Sequence, residues 1–177
     1  MENKVLVTYG TKYGATAQIA EKIGEVLKQA GLQADVVDTR KTPDPSAYNA
    51  VVIGSAVYIG MWRKEVNNFI KKYAGTLAQK PVWVFSSGPT GQGNPVEMMQ
   101  GWIIPKSIKA EIDNIKPRDI TVFHGATNES KWNFLEKAAI KNVKAPLGDF
   151  RDWNAITAWA NSIAAKLKRQ NNDSRTK

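Results

Sequence analysis

Short apolar runs alternate along the chain with longer stretches in which apolar residues recur every three or four positions. Lys4–Tyr9, Gln33–Asp38, Ala50–Ser55, Pro81–Ser87 and Ile120–Gly125 are the runs, and several are almost wholly apolar. That pattern belongs to strands buried on both faces and predicts a parallel sheet. Between the runs, Ile19, Ile23, Val26, Leu27 and Ala30 form one helical stripe ended by Gly31, and Trp62, Val66, Phe69, Ile70 and Tyr73 form a second. Trp153, Ile156, Ala160, Ile163 and Leu167 mark a last helix, with Asp152 placed to cap it. The aromatic residues of these stripes are expected in the core. Strands joined by helical crossovers predict a three-layer, doubly wound α/β sandwich around a five-stranded parallel sheet. Gly88–Asn114 is less regular, punctuated by Gly91, Gly93, Pro95 and Pro105.

With 177 residues and 42% hydrophobic content, the chain is long enough for one domain with a sizeable core, placed here at 1–168 and followed by a basic tail, 169–177, expected to fray. The absence of cysteine excludes disulfides, iron–sulfur ligation and thiol catalysis, and fits a reducing compartment. The first strand follows Met1-Glu2-Asn3-Lys4 without a leader pattern. No apolar run approaches the roughly 18 residues of a membrane span, so a soluble, cytoplasmic protein is expected.

Charge refines that picture. The net charge is +9, yet residues 1–50 hold six basic and six acidic groups, so the surplus lies in the rest of the chain, with +4 in the last 27 residues. Such a surplus serves association with an acidic partner or with an anionic membrane surface, the latter placing the protein peripherally at the inner face of the membrane. Specific nucleic-acid binding is not indicated, because no recognition-helix, RNP or zinc-finger signature is present. Asn128–Lys144 reads as an added amphipathic helix, with Trp132, Leu135, Ala139 and Val143 on one face and Lys137, Lys141 and Lys144 on another. His124 ends an apolar strand with no partner visible in the sequence and is read as structural. One histidine and no cysteine leave little from which to build a metal site.

The candidate chemistry lies in three loops. Val5-Leu6-Val7-Thr8-Tyr9 runs into Gly10-Thr11-Lys12-Tyr13-Gly14-Ala15-Thr16 and directly into the first helix. A helix opening there points its unpaired first-turn N–H groups and positive dipole end into the loop, and Thr11 and Thr16 add hydroxyls, so a phosphate suits the site. Neither G-x-x-x-x-G-K-[ST] nor G-x-G-x-x-G can be laid over Gly10 and Gly14, which argues against an NTP or a dinucleotide. In an open parallel sheet the ligand lies beyond the carboxyl ends of the strands, at the switch point between strands one and three. There the first loop meets Ser55-Ala56-Val57-Tyr58-Ile59-Gly60-Met61-Trp62, which offers aromatic faces, and Ser86-Ser87-Gly88-Pro89-Thr90-Gly91-Gln92-Gly93, which offers small residues and exposed amides. A phosphate linked to a planar aromatic ring fits all three.

Thr11–Thr16 after strand one, Gly54-Ser55-Ala56-Val57-Tyr58-Ile59-Gly60 after strand three and a glycine-rich loop after strand four resemble the flavodoxins. Val51-Val52-Ile53-Gly54 followed by Tyr58, Gly60, Phe69-Ile70-Lys71-Lys72 and Ala74 is similar to the branch of that family containing menaquinone-dependent protoporphyrinogen oxidases. The resemblance implies strand order 2-1-3-4-5 and an FMN cofactor. It places the phosphate on Thr11, Lys12, Tyr13, Gly14, Ala15 and Thr16. The ring falls between Ala56, Val57, Tyr58, Ile59, Gly60 and Ser87, Gly88, Pro89, Thr90, Gly91, with Tyr58 stacking on it and Trp62 as the alternative. Ala15 stands where flavodoxins often place asparagine, and the positive charge differs from their acidic surface. No catalytic side chain is implied, because the flavin carries the electrons. A basic surround favours the anionic reduced flavin and a higher potential than in acidic carriers.

The resemblance thus implies electron transfer through bound flavin, with a redox partner protein or a quinone as the other party. An FMN-dependent oxidoreductase of the protoporphyrinogen oxidase or quinone reductase type is the alternative, and a non-catalytic nucleotide-binding module is a third reading. A phosphorylation receiver domain is excluded, since the ends of strands one and three are Thr8-Tyr9-Gly10 and Gly54-Ser55 rather than clustered acids. A serine hydrolase is excluded because neither Ser55 nor Ser87 sits in a G-x-S-x-G frame.

Overall fold

The apolar runs pair side by side in parallel. In a computed structural model, which describes residues 4–41, 44–127 and 146–175, β1 (Lys4–Gly10) lies between β2 (Gln33–Asp38) and β3 (Ala50–Tyr58). β5 (Val82–Ser87) follows β3, and β6 (Asp119–Phe123) forms the far edge. The order β2-β1-β3-β5-β6 is the expected 2-1-3-4-5 once the two-residue β4 (Met61–Trp62), folded back antiparallel on the end of β3, is set aside. A separate antiparallel pair joins β7 (Ala126–Thr127) to β8 (Gly148–Asp149).

Alternating side chains fill two cores, which explains the almost wholly apolar strands. Val5, Val7, Val52 and Phe85 share one core with Ile19, Ile23 and Leu27 of α1 (Ala15–Gln29) and with Ile156, Ile163 and Leu167 of α5 (Trp153–Arg175). Leu6, Val51, Ile53 and Val84 share the other with Val66, Phe69 and Ile70 of α2 (Lys64–Leu77) and with Ile112 and Ile115 of α4 (Lys109–Ile115). The short α3 (Pro95–Met98) lies in the irregular stretch after β5. Gly54 is a point of close approach: β3 and β5 set it opposite Phe85, whose ring occupies the space a side chain at 54 would need.

Several boundaries differ from the sequence expectation, each for a local reason. β3 runs on to Tyr58 because Val57 and Tyr58 pair with Trp62 and Met61 in a hairpin. Trp62 therefore belongs to β4 and not to the α2 stripe, though it is buried as expected. β6 stops at Phe123, and Gly125 instead packs against the Gly88 backbone. Trp153 is 38% exposed and not in the core, since at the first position of α5 its ring covers the Arg151 guanidinium at 4.5 Å. Trp159 takes the inward place, edge-on to Phe123 and Phe85, and its indole N–H donates to Asp119 Oδ2 at 2.8 Å. Asp152 caps α5 as expected, its Oδ1 accepting from the amides of Asn154 (2.9 Å) and Ala155 (3.0 Å). The helix continues to Arg175, through most of the segment expected to fray. Asn128–Lys144, with its lysine face, lies outside the described residues.

Candidate functional site

α1 begins where β1 ends, at the switch point of the sheet. Gly14, in the left-handed region at φ 96°, is the N-cap residue, and its amide donates to Thr11 Oγ1 at 3.0 Å, closing the loop into a tight turn. The helix has no side-chain cap and no acidic residue in its first turn. Its first amides and the positive end of its dipole are thus left for a ligand. Thr16, 1% exposed, lines the base of the slot above that turn together with Thr11, Tyr13 and Ala15.

The β3–β4 hairpin forms the second wall. Ser55 Oγ accepts from the Arg63 amide (3.0 Å) and donates to Ala56 O (3.0 Å), while the Trp62 indole N–H donates to Ser86 Oγ (2.9 Å), which donates to Ile103 O (2.8 Å). These two sets of bonds pair the side chains of Ser55, Trp62 and Ser86 and fix the direction of the hairpin. It also consumes Trp62, which stays in the interior, so Tyr58 is the aromatic that this wall presents to the slot, with Ala56 and Val57 beside it and Tyr13 contributed by the first loop. The Tyr58 ring meets Tyr13 edge-on, centroids 5.8 Å apart, and Lys12 Nζ and Arg63 Cζ each lie 5.9 Å from its centre. Ile59 and Gly60 do not line the slot; they form the exposed turn of the hairpin.

Ser87 and Gly88 supply the third wall. Pro89, Thr90 and Gly91 lie outside the lining and shape it indirectly. Pro89 O accepts from the Gly125 amide at 3.0 Å, and the Gly88 amide donates to Phe123 O at 3.3 Å. His124 has partners the sequence did not reveal: Nδ1 lies 3.1 Å from Pro89 O and Nε2 lies 2.9 Å from Gly93 O. A neutral imidazole donates one of these bonds and an imidazolium both. The only histidine thus ties the third loop to the end of β6.

A fourth wall was not foreseen. Gly125, Ala126 and Thr127 also line the slot. The one signal for it was the glycine that closes the last apolar run, and nothing local showed where that backbone turns. β7 is held by β8, where the Gly148 amide donates to Thr127 Oγ1 (3.0 Å), and β8 is held to α1 by Arg151. The Arg151 guanidinium, 8% exposed, grips the Asp149 carboxylate with two N–H groups and donates to Ala15 O (3.2 Å) and Gln18 Oε1. The hydrogen bond from Arg151 holds the Asp149 carboxyl below the usual carboxylate range. A group with a depressed folded pKa stabilises the fold above its unfolded value and loses that contribution as pH falls through the folded one. Below about pH 4, wild type is therefore expected to lose an increment of stability that Asp149→Asn lacks at every pH. Thermal unfolding of the two proteins across acid pH measures the difference, and parallel curves would show that the clamp contributes nothing.

The result is a narrow slot of about 80 Å³, open to solvent, at the carboxyl ends of β1, β3 and β5. A doubly wound parallel sheet of this order, with an uncapped helix N-terminus and a tyrosine facing each other across the switch point, defines the flavodoxin-like class. Residues 6–154 match the model of the flavodoxin domain family, Flavodoxin_5, and the chain belongs to that family. It is 24% identical over 172 residues to the protoporphyrinogen IX dehydrogenase [quinone] of Escherichia coli, across 91% of this chain and 94% of that protein. The fold is shared with a flavodoxin from the domain Archaea, with TM-score 0.63 and 14% identity over 93% of this chain and 99% of that one. It is shared likewise with oxidised flavodoxin 2 from Bacillus cereus, with TM-score 0.59 and 18% identity over 92% and 99%.

Proposed function

We propose that the chain is an FMN-binding redox protein that passes electrons through its flavin. The observation that carries this reading is the convergence of the uncapped α1 N-terminus, buried Thr16 and Tyr58 on one slot. The residues fit the cofactor: the α1 amides, Thr11 and Thr16 suit a terminal phosphate, Tyr58 suits a flat ring, and Ser87, Gly88 and Gly125 are small enough to leave room beside it. Bound flavin supplies the electron chemistry. The protein supplies position and field. Lys12 beside Tyr58 puts positive charge at the mouth, while Arg63 on the same ring is paired with Glu65 at 3.0 Å; the lysine favours the more negative, reduced form of the cofactor.

The test is an absorbance spectrum of the purified protein, followed by anaerobic reduction. A yellow chain holding one FMN, and not FAD, upholds the reading; a colourless chain that takes up neither FMN nor riboflavin overturns it. Tyr58→Ala is expected to raise flavin fluorescence and move the potential upward, because stacking on an electron-rich ring disfavours the reduced state. An aromatic pair is worth about 0.5–1.5 kcal/mol, so the one-electron shift is about 20–60 mV. Unchanged fluorescence and potential in that variant would assign the ring to another wall.

The likeness to the E. coli enzyme along nearly the whole chain favours a second reading, an oxidoreductase with a quinone or a porphyrinogen as the other party. Flavin-dependent turnover with a soluble quinone separates it from a carrier that exchanges electrons only with a partner protein.

A further inference from the structure

His124, the one histidine of the chain, stands where two walls of the slot meet. Phe123 before it ends β6, and Gly125 after it lines the slot. A carbonyl oxygen faces each of its ring nitrogens, Pro89 O at 3.1 Å from Nδ1 and Gly93 O at 2.9 Å from Nε2. A carbonyl can only accept, so both contacts are hydrogen bonds at once only when both nitrogens carry a proton, as in the imidazolium. The neutral ring keeps one bond and turns a lone pair toward the other oxygen.

The surroundings decide which bond is given up. Pro89 O also accepts from the Gly125 amide at 3.0 Å, and the Gly88 amide donates to Phe123 O at 3.3 Å, so this side of the loop stays with the fourth wall whatever the ring does. The Gly93 side has no such support. Gly91 and Gly93 adopt φ 136° and 114°, and among the described residues no other hydrogen bond reaches Gly91, Gln92 or Gly93. The bond to Gly93 O also faces solvent, where water can take its place. No carboxylate anchors the ring. Ser86–Gly93 carries no charged residue; on α3, which packs against β6, the ionisable group is the exposed Glu97. Asp119 lies at the other end of β6, bound to the Trp159 indole, and Asp149 and Arg151 on the β8 side bind each other. Carboxyl groups finish titrating below the range in which an imidazole changes charge, between about pH 5 and 8.

We infer that His124 is a positioning residue that works as a proton-operated latch. Charged, it holds the Gly91–Gly93 turn against the end of β6 and the fourth wall; neutral, it releases that turn while Pro89 stays in place. A second effect rests on the flavin reading: the imidazolium adjoins Gly125 in the slot wall, and its charge favours the more negative, reduced cofactor.

Two experiments test the latch, and the first needs no cofactor. In nuclear magnetic resonance of the 15N-labelled full chain, the amide of Asn94 shares a peptide unit with Gly93 O, and that of Thr90 with Pro89 O. The Asn94 signal is expected to move with the His124 ring signals as pH rises, and the Thr90 signal to move far less. The amide order parameters of Gln92 and Gly93 are expected to fall from about 0.85 near pH 5.5 to below about 0.6 near pH 8. His124→Gln, neutral throughout, should show the low values at both pH values, and His124→Arg, charged throughout, the high ones. Order parameters that ignore pH in wild type, a change that persists in His124→Gln, or a ring followed by Thr90 and not by Asn94 each overturns the latch. The second experiment compares potentials of the FMN-loaded proteins under anaerobic conditions. The preference for reduced over oxidised flavin should be about threefold to tenfold greater in wild type than in His124→Gln near pH 5.5, and equal near pH 8. Equal preferences at both pH values overturn the effect on the cofactor. A colourless chain in which Asn94 still follows the ring would sink the flavin reading and leave the latch standing.

Discussion

Gly54→Ala is expected to destabilise the protein by about 1–3 kcal/mol although it adds a single methyl group. A Cβ at position 54 would stand 2.0 Å from Phe85 Cζ, with the two Cε atoms at 2.3 and 2.6 Å. The ring has little room to yield, because it is fully buried and packs against Phe123 (5.8 Å) and Trp159 (6.1 Å). Phe85→Ala should cost more, about 3–5 kcal/mol, by emptying that space. With the ring gone, the methyl at 54 fits. The double variant should therefore cost less than the sum of the two single changes by about 0.5–3 kcal/mol. Urea unfolding of the four proteins gives this coupling, and strict additivity would show that the ring steps aside without strain. The effect reaches the slot, since Ser55 and Ala56 follow Gly54 directly and Phe123 leads into the fourth wall.

Loss of a threonine hydroxyl from the first loop is the second large effect expected. Thr16→Val removes a buried hydroxyl from the base of the slot while keeping the side chain's shape, and a hydrogen bond to a charged group is worth about 1.5–3 kcal/mol. FMN affinity should fall by about tenfold to a hundredfold, while riboflavin, which lacks the phosphate, should lose little. Thr11→Ala acts differently: it frees the Gly14 amide that Thr11 Oγ1 now accepts and loosens the left-handed turn at the mouth of α1. It should weaken both ligands. Fluorescence titration of FMN and riboflavin against each variant distinguishes the two roles, and equal losses of both ligands in Thr16→Val would remove that residue from the phosphate site.

What the sequence disclosed depended on whether the deciding contact was local. The buried strands were legible because both of their faces meet helices, so their residues are apolar whatever the register. The α5 start was legible because Asp152 and the amides it caps are neighbours in the chain. The β3–β4 hairpin was not. Ile59-Gly60 lacks the asparagine–glycine signature of such turns, and Trp62, four residues before Val66, imitates the spacing of the helix that follows. Nor could Trp153 be told from Trp159 on apolar character alone; the Arg151 guanidinium claims the first and the Asp119 carboxylate orients the second. The first, second and third loops were found through the topology of the sheet. The fourth wall, and the two carbonyls that face His124, depend on contacts between segments more than twenty residues apart.

The walls of the slot come from four separate stretches between Thr11 and Thr127, and the last is held in place by Arg151 reaching back to Ala15. No isolated hairpin or helix contains such a site, so the unfolded chain has no counterpart of it and a ligand held there binds the folded form alone. By mass action, a ligand at a hundred times its dissociation constant then adds about 2.7 kcal/mol to the stability of the fold. In a cell that difference acts on survival. Copies without cofactor open more often and meet proteases more often, so the abundance of the protein would follow the supply of its cofactor without any sensor dedicated to the task.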